Sequence, residues 1–183
     1  MDTARLDTPH GTTWYGRTRR IGLGLTGLTL AATALGVAPA QAATPLPTCT
    51  HQHLSARVAG SEGAAGSTYV TLRFTNTGHS ACALLGHPGV SFVAGDDGHS
   101  VGLPAAKAND KYKVVKLQAG QSADATLRIA NALNFPRSTC SPTAVRGLRV
   151  YPPGGRKSFF LKLSTTACAK HVRTMTINAV VHH

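Results

Sequence analysis

A chain of 183 residues has room for one ordinary domain, with or without a leader, and no more. Its 19 Lys and Arg against 7 Asp and Glu give a formal charge of +12, which favours anionic partners and leaves few carboxylates for acid–base chemistry. The first element is a leader. Arg17, Arg19 and Arg20 make a basic n-region, and residues 21–37 follow without a charge. Ala38-Pro39-Ala40-Gln41-Ala42 then sets small residues at the −3 and −1 positions of a signal-peptidase site. Cleavage is expected after Ala42, with Ala40 as the near alternative. A membrane anchor fits less well, because a span of about 17 residues is at the short limit for a bilayer and is diluted by Gly22, Gly24 and Gly27. Thr18-Arg19-Arg20 hints at twin-arginine export, but Gly22 sits where a bulkier apolar residue is usual, so Sec export is the default. Cys49 lies several residues past the cut, which argues against a lipoprotein.

Residues 43–48 read as a short, flexible entry segment containing Pro45 and Pro47, and residues 49–181 as a single β-sandwich domain. Beyond the leader stand 15 basic and 5 acidic residues, a net charge of +10. Helical periodicity is missing there, and what recurs is alternation between turns. After a first strand at 54–58, Val70, Leu72 and Phe74 share one face of a strand at 69–75, with Thr71, Arg73 and Thr75 opposite. Asn76-Thr77-Gly78 ends it. A strand at 90–93 runs into the hairpin turn Asp96-Asp97-Gly98. Ala119-Gly120-Gln121-Ser122 links a strand at 114–117 to one at 123–129, where Leu127 and Ile129 face inward. Pro152-Pro153-Gly154-Gly155 joins strands at 148–151 and 158–163. Met175, Ile177 and Ala179 alternate in the last strand. Seven to nine short strands at this spacing predict an all-β antiparallel sandwich.

Cys49, Cys82, Cys140 and Cys168 are an even set, which in an exported chain predicts two disulfides from three possible pairings. Cys49–Cys82 and Cys140–Cys168 are favoured because each joins neighbouring elements. Each closed loop of about 30 residues is worth roughly 3.5–4 kcal/mol. A zinc site is disfavoured by the lack of C-x-x-C spacing.

One series of features is specific enough to name. It runs through Cys49, Ala65-Gly66, Phe74-Thr75-Asn76-Thr77-Gly78 and Cys82-Ala83-Leu84-Leu85-Gly86-His87-Pro88-Gly89-Val90. It continues with Leu117-Gln118-Ala119-Gly120-Gln121-Ser122-Ala123, Cys140, Val150-Tyr151-Pro152-Pro153-Gly154 and Cys168. The series resembles the actinobacterial secreted domains of domain-of-unknown-function family 4232. It differs at His87, where those domains usually carry an aromatic residue, and an imidazole is expected to stack in the same slot. The resemblance implies an immunoglobulin-like sandwich exported to the envelope or medium. It implies no reaction.

Catalysis is not expected. The acids past the leader are Glu62, Asp96, Asp97, Asp110 and Asp124; the first four read as turn and loop residues and Asp124 as an outward strand residue, so no pair converges. Every cysteine is assigned to a bridge, no Gly-x-Ser-x-Gly elbow occurs past the leader, and no cofactor is implied. A metal site for Cu(II) or Zn(II) would use His51 and His53. On an extended segment they point to one side, and His182 and His183 would join them if the chain ends met. Anion binding would use Lys107, Lys111, Lys113 and Lys116 in one stretch. The second set is Arg146, Arg149, Arg156, Lys157 and Lys162 across two strands. The expected partners are anionic wall polymers such as teichoic acids, anionic lipid head groups or an envelope protein. Tyr112 and Tyr151 make no stacking platform, so specific nucleic-acid binding is not expected.

Overall fold

Short alternating runs leave each strand with one apolar face, and such faces need a second sheet to cover them. The computed structural model describes residues 45–183; the predicted leader, residues 1–42, lies outside them. The strands in chain order are β1 (Leu54–Ala64), β2 (Ser67–Asn76), β3 (Cys82–Leu85), β4 (Gly89–Ala94), β5 (His99–Val101) and β6 (Ala106–Lys107). After these come β7 (Val114–Leu117), β8 (Ser122–Ala130), β9 (Pro142–Tyr151), β10 (Phe159–Cys168), β11 (Met175–Ile177) and β12 (Val181–His182). Twelve strands among the described residues replace the seven to nine expected. The unforeseen ones are β3, four residues long, and β6 and β12, two residues each.

One sheet has the order β1-β2-β8-β11-β6, with β12 also pairing β8. A second has the order β10-β9-β4-β5, and β3 pairs with β7 in a third, two-stranded sheet. Pairing among the strands is antiparallel except for β6 against β11. One core joins the larger sheets: Val70, Leu72 and Phe74 of β2 and Leu127 and Ile129 of β8 pack in the same cluster as Val90 and Phe92 of β4 and Leu148 and Val150 of β9. Each such side chain contributes about 1.5–3 kcal/mol on burial. The alternation read from the sequence is what places these residues inside.

The bridges are Cys49–Cys82 and Cys140–Cys168, with Cα–Cα distances of 4.9 and 4.5 Å. Cys140 and Cys168 form a small satellite core with Ala132, flanked by Phe135 and Val172. The entry segment, expected to be loose, is tied down from Pro47 onward. Ala83 N–H donates to Pro47 O at 2.9 Å, and Cys49 N–H donates to Ala83 O at 3.0 Å. The nearby bridge to Cys82 explains the difference, because it holds this stretch alongside β3.

Asn76 ends β2 as the sequence suggests, but it also serves as a fully buried polar hub. Its Nδ2 donates to Ser80 O at 2.9 Å and Leu117 O at 3.0 Å, and its Oδ1 accepts from Gly78 N–H at 3.0 Å. Its main chain donates to Gln121 O and accepts from Gly120 N–H. One amide thereby fastens the turn after β2, the end of β7 and the β7–β8 turn. A buried amide is tolerated only when paired in this way.

Candidate anion-binding surface

Four of the five carboxylates in the described residues are engaged. On the outer face of the first sheet Arg73 and Asp124 are direct cross-strand partners. The guanidinium donates from Nε and Nη2 to the two carboxylate oxygens at 2.8 and 2.7 Å. The Arg73 hydrogen bond holds the Asp124 carboxyl below its ordinary value, partial burial pushes it the other way, and His183 assists in lowering it. His183 Nδ1 lies 3.2 Å from Asp124 Oδ2. Asp124 does face outward as expected, but it is latched rather than freely solvated.

Asp110 departs further from expectation. Its Oδ1 lies 2.5 Å from His87 Nε2, and its Oδ2 accepts from Ala179 N–H at 2.9 Å and Asn178 Nδ2 at 3.1 Å. Partial burial raises this carboxyl, yet the Ala179 N–H, His87 and Asn178 together overcome that and bring it down to about 2. Asp110 is thus a clamp between the β6–β7 connection, the β3–β4 connection and the segment after β11. His87 packs edge-on to Tyr112, with ring centroids 5.6 Å apart, so its ring makes an aromatic contact and also binds an acid.

A depressed carboxyl contributes stability that is complete above its unfolded value, about 4, and disappears as pH falls toward the folded value. The stability gap between wild type and Asp110→Asn is therefore expected to shrink as pH falls from about 4 to about 2. Urea midpoints across that range would measure it. A gap that stays constant through the range would show that the carboxylate charge contributes nothing.

Asp97 is held low chiefly by the hydrogen bond from His99, and Asp96 lies 3.7 Å from Arg146 Nη1. On the basic side the pairing is sparse: among the described lysines and arginines only Arg73 and Arg146 lie within ion-pair distance of a carboxylate. Lys107 on β6, Lys111 and Lys113 in the connection that follows, and Lys116 on β7 are all exposed. Lys116 borders an open groove of about 610 Å3 lined by Leu46, Leu85 and Val114.

The second predicted basic set divides in three. Arg156 and Lys157 line a groove beside residues 48–52. Arg146 and Arg149 instead converge on the β4–β5 turn, where Arg149 donates to Gly98 O at 2.7 Å and Ser100 Oγ at 3.1 Å. Lys162 is exposed on β10. Sequence spacing put these residues on adjacent strands, but not which turn they would reach.

The premise of the histidine site does not hold. His51–His53 is a 3-10 turn rather than an extended segment, so residues two apart point about 240° around the axis from one another. The His51 ring stacks on Phe159 at 4.2 Å, and His53 packs beside Gly78. His183 is drawn to Arg73 and Asp124. Among the described residues no three His, Cys, Asp or Glu side chains are placed to hold a metal ion, and no helix is long and apolar enough to cross a membrane.

No curated protein and no solved structure matches the chain. The family model described as "Domain of unknown function (DUF4232)" matches residues 49–181, from the first bridged cysteine into β12. This stretch takes in both disulfides, the Asn76 hub and all the paired acids, and the chain belongs to that family.

Proposed function

We propose that this domain is an exported, non-catalytic binding module of immunoglobulin-like form whose basic surface adheres to anionic polymers of the cell envelope. The observation that carries the reading is the imbalance of pairing. Among the described residues four of five carboxylate side chains are spent on contacts within the domain, while all but two of fifteen Lys and Arg have no described carboxylate within ion-pair distance. A surplus of this kind sets up positive potential that draws polyanions. Export is supported by the leader predicted over residues 1–42 and by two disulfides, which persist in oxidising compartments. The non-catalytic part is supported by the same facts, since Asp110 and Asp124 are structural clamps and all four cysteines are bridged. A Cu(II) or Zn(II) carrier using His51 and His53 has less support, because those rings diverge and one is stacked on Phe159.

Retention on immobilised teichoic acid is the direct test. The protein is expected to bind at about 0.05 M salt and to elute by about 1 M, as screening shortens the reach of its charges. Passage through the column at low salt would overturn the reading.

A further inference from the structure

Within that reading, we propose that Arg146 and Arg149 form a phosphoryl-binding cleft at the β4–β5 turn, which takes the phosphodiester groups of an anionic glycopolymer. The cleft is built from the sheet upward. Phe160 on β10 stands opposite Arg149 on β9. Between the arginines lies Gly147, where a Cβ would come within 2.5 Å of the Phe160 ring. The lack of a side chain lets that ring settle over the strand. Arg146 then places its guanidinium 5.2 Å from the ring centroid, and its Nη2 donates to Asp96 O at 3.4 Å. Arg149 is fixed by its bonds to Gly98 O and Ser100 Oγ.

The two Nη2 atoms lie 3.9 Å from a common point, the position a Cβ would take at Gly98. Around them is a cleft of about 220 Å3, also lined by Val93, Ser158 and Phe160. That is below the range for a whole drug-sized ligand, so it suits one charged group of a longer chain.

Three physical features favour a phosphoryl group here over diffuse attraction elsewhere. Both guanidinium groups are already oriented, so binding costs less side-chain entropy than at the free lysines. A planar carboxylate is satisfied by a single guanidinium fork, whereas phosphoryl oxygens accept from several directions and can use two. Phe160, 54% exposed, offers an apolar face to the carbon skeleton of the repeat unit. Asp96 is the carboxylate nearest to Arg146 Nη1, and its side chain is fully exposed, so it can turn away into water.

Binding of the full protein to poly(glycerol phosphate) and to polyglutamate, followed by calorimetry, tests the assignment. Arg146→Gln is expected to weaken poly(glycerol phosphate) binding about tenfold, the effect of losing a charge-assisted hydrogen bond. Arg146→Lys is expected to weaken it nearly as much, because an ammonium cannot reproduce the fork. Arg137→Gln, which removes one exposed charge on the helical turn Arg137–Cys140, should cost no more than about twofold. Thermal melts confirm that the variants are folded, and Phe160→Ala gives a second probe if an arginine variant is not. Equal losses in Arg146→Gln and Arg137→Gln, or full affinity in Arg146→Lys, would overturn the cleft while leaving general electrostatic adhesion intact. Equal affinity for the two polymers would overturn the phosphoryl assignment. Failure of the wild type to bind either polymer would remove the adhesion reading and this inference with it.

Discussion

Asn76→Asp is expected to destabilise the domain by about 3–5 kcal/mol at pH 7, the range for an unpaired buried charge. The substitution is nearly isosteric, so packing is preserved and the chemistry alone changes. Asn76 Nδ2 donates to two carbonyl oxygens, Ser80 O and Leu117 O. An aspartate would turn a carboxylate oxygen toward both of them, with no donor to offer. Protonation relieves part of this, so burial and the carbonyls raise the carboxyl above its unfolded value. A group raised in the folded state destabilises increasingly as pH climbs past the unfolded value, about 4. The penalty should therefore be smaller at pH 4 than at pH 7. Urea denaturation of wild type and variant at both pH values measures it. A loss below about 1 kcal/mol, typical of a solvated surface change, would mean that water reaches the amide.

Removing the Cys49–Cys82 bridge by a double alanine substitution should cost about 3.7 kcal/mol, the loop-closure value for its sequence separation of 33. Removing Cys140–Cys168, separation 28, should cost about 3.6 kcal/mol by the same argument. The near-equality is itself a prediction, and local structure supplies the contrast. The first bridge also holds residues 47–49 along β3, so its loss should speed amide exchange at Cys49→Ala and Ala83. The second bridge should leave those two amides unchanged. Differential calorimetry and hydrogen exchange together distinguish the cases. A change below about 1 kcal/mol for either pair would show that the reduced chain keeps the loop closed without sulfur.

The parts of this fold legible in the sequence are those whose signal is local. Val70, Leu72 and Phe74 announce their own strand and face, and the Asp96-Asp97-Gly98 turn announces its hairpin. β6 and β12 are too short to show any period of their own and exist because β11 and β8 offer them an edge. Thr50 to His53 looks extended because β1 follows immediately, yet the chain first makes a tight turn there. The acids show the limit most plainly. Asp110 finds its partners 23, 68 and 69 residues away, and Asp124 finds Arg73 at a separation of 51. Nothing beside either residue in the chain carries that information. The arginine cleft stands between the extremes, since Arg146 and Arg149 were visible as members of one basic set while the turn they reach was not.

The position of β8 in the first sheet has a kinetic consequence. This strand zips to β2 along one edge and to β11 and β12 along the other, so among the described residues its second edge is covered from Thr174 onward. Contacts that span so much of the chain pay their loop-closure entropy late, which slows folding. A nascent chain emerging from its amino end would keep β8 half bare until β11 and β12 had been delivered, and this sheet could close only then.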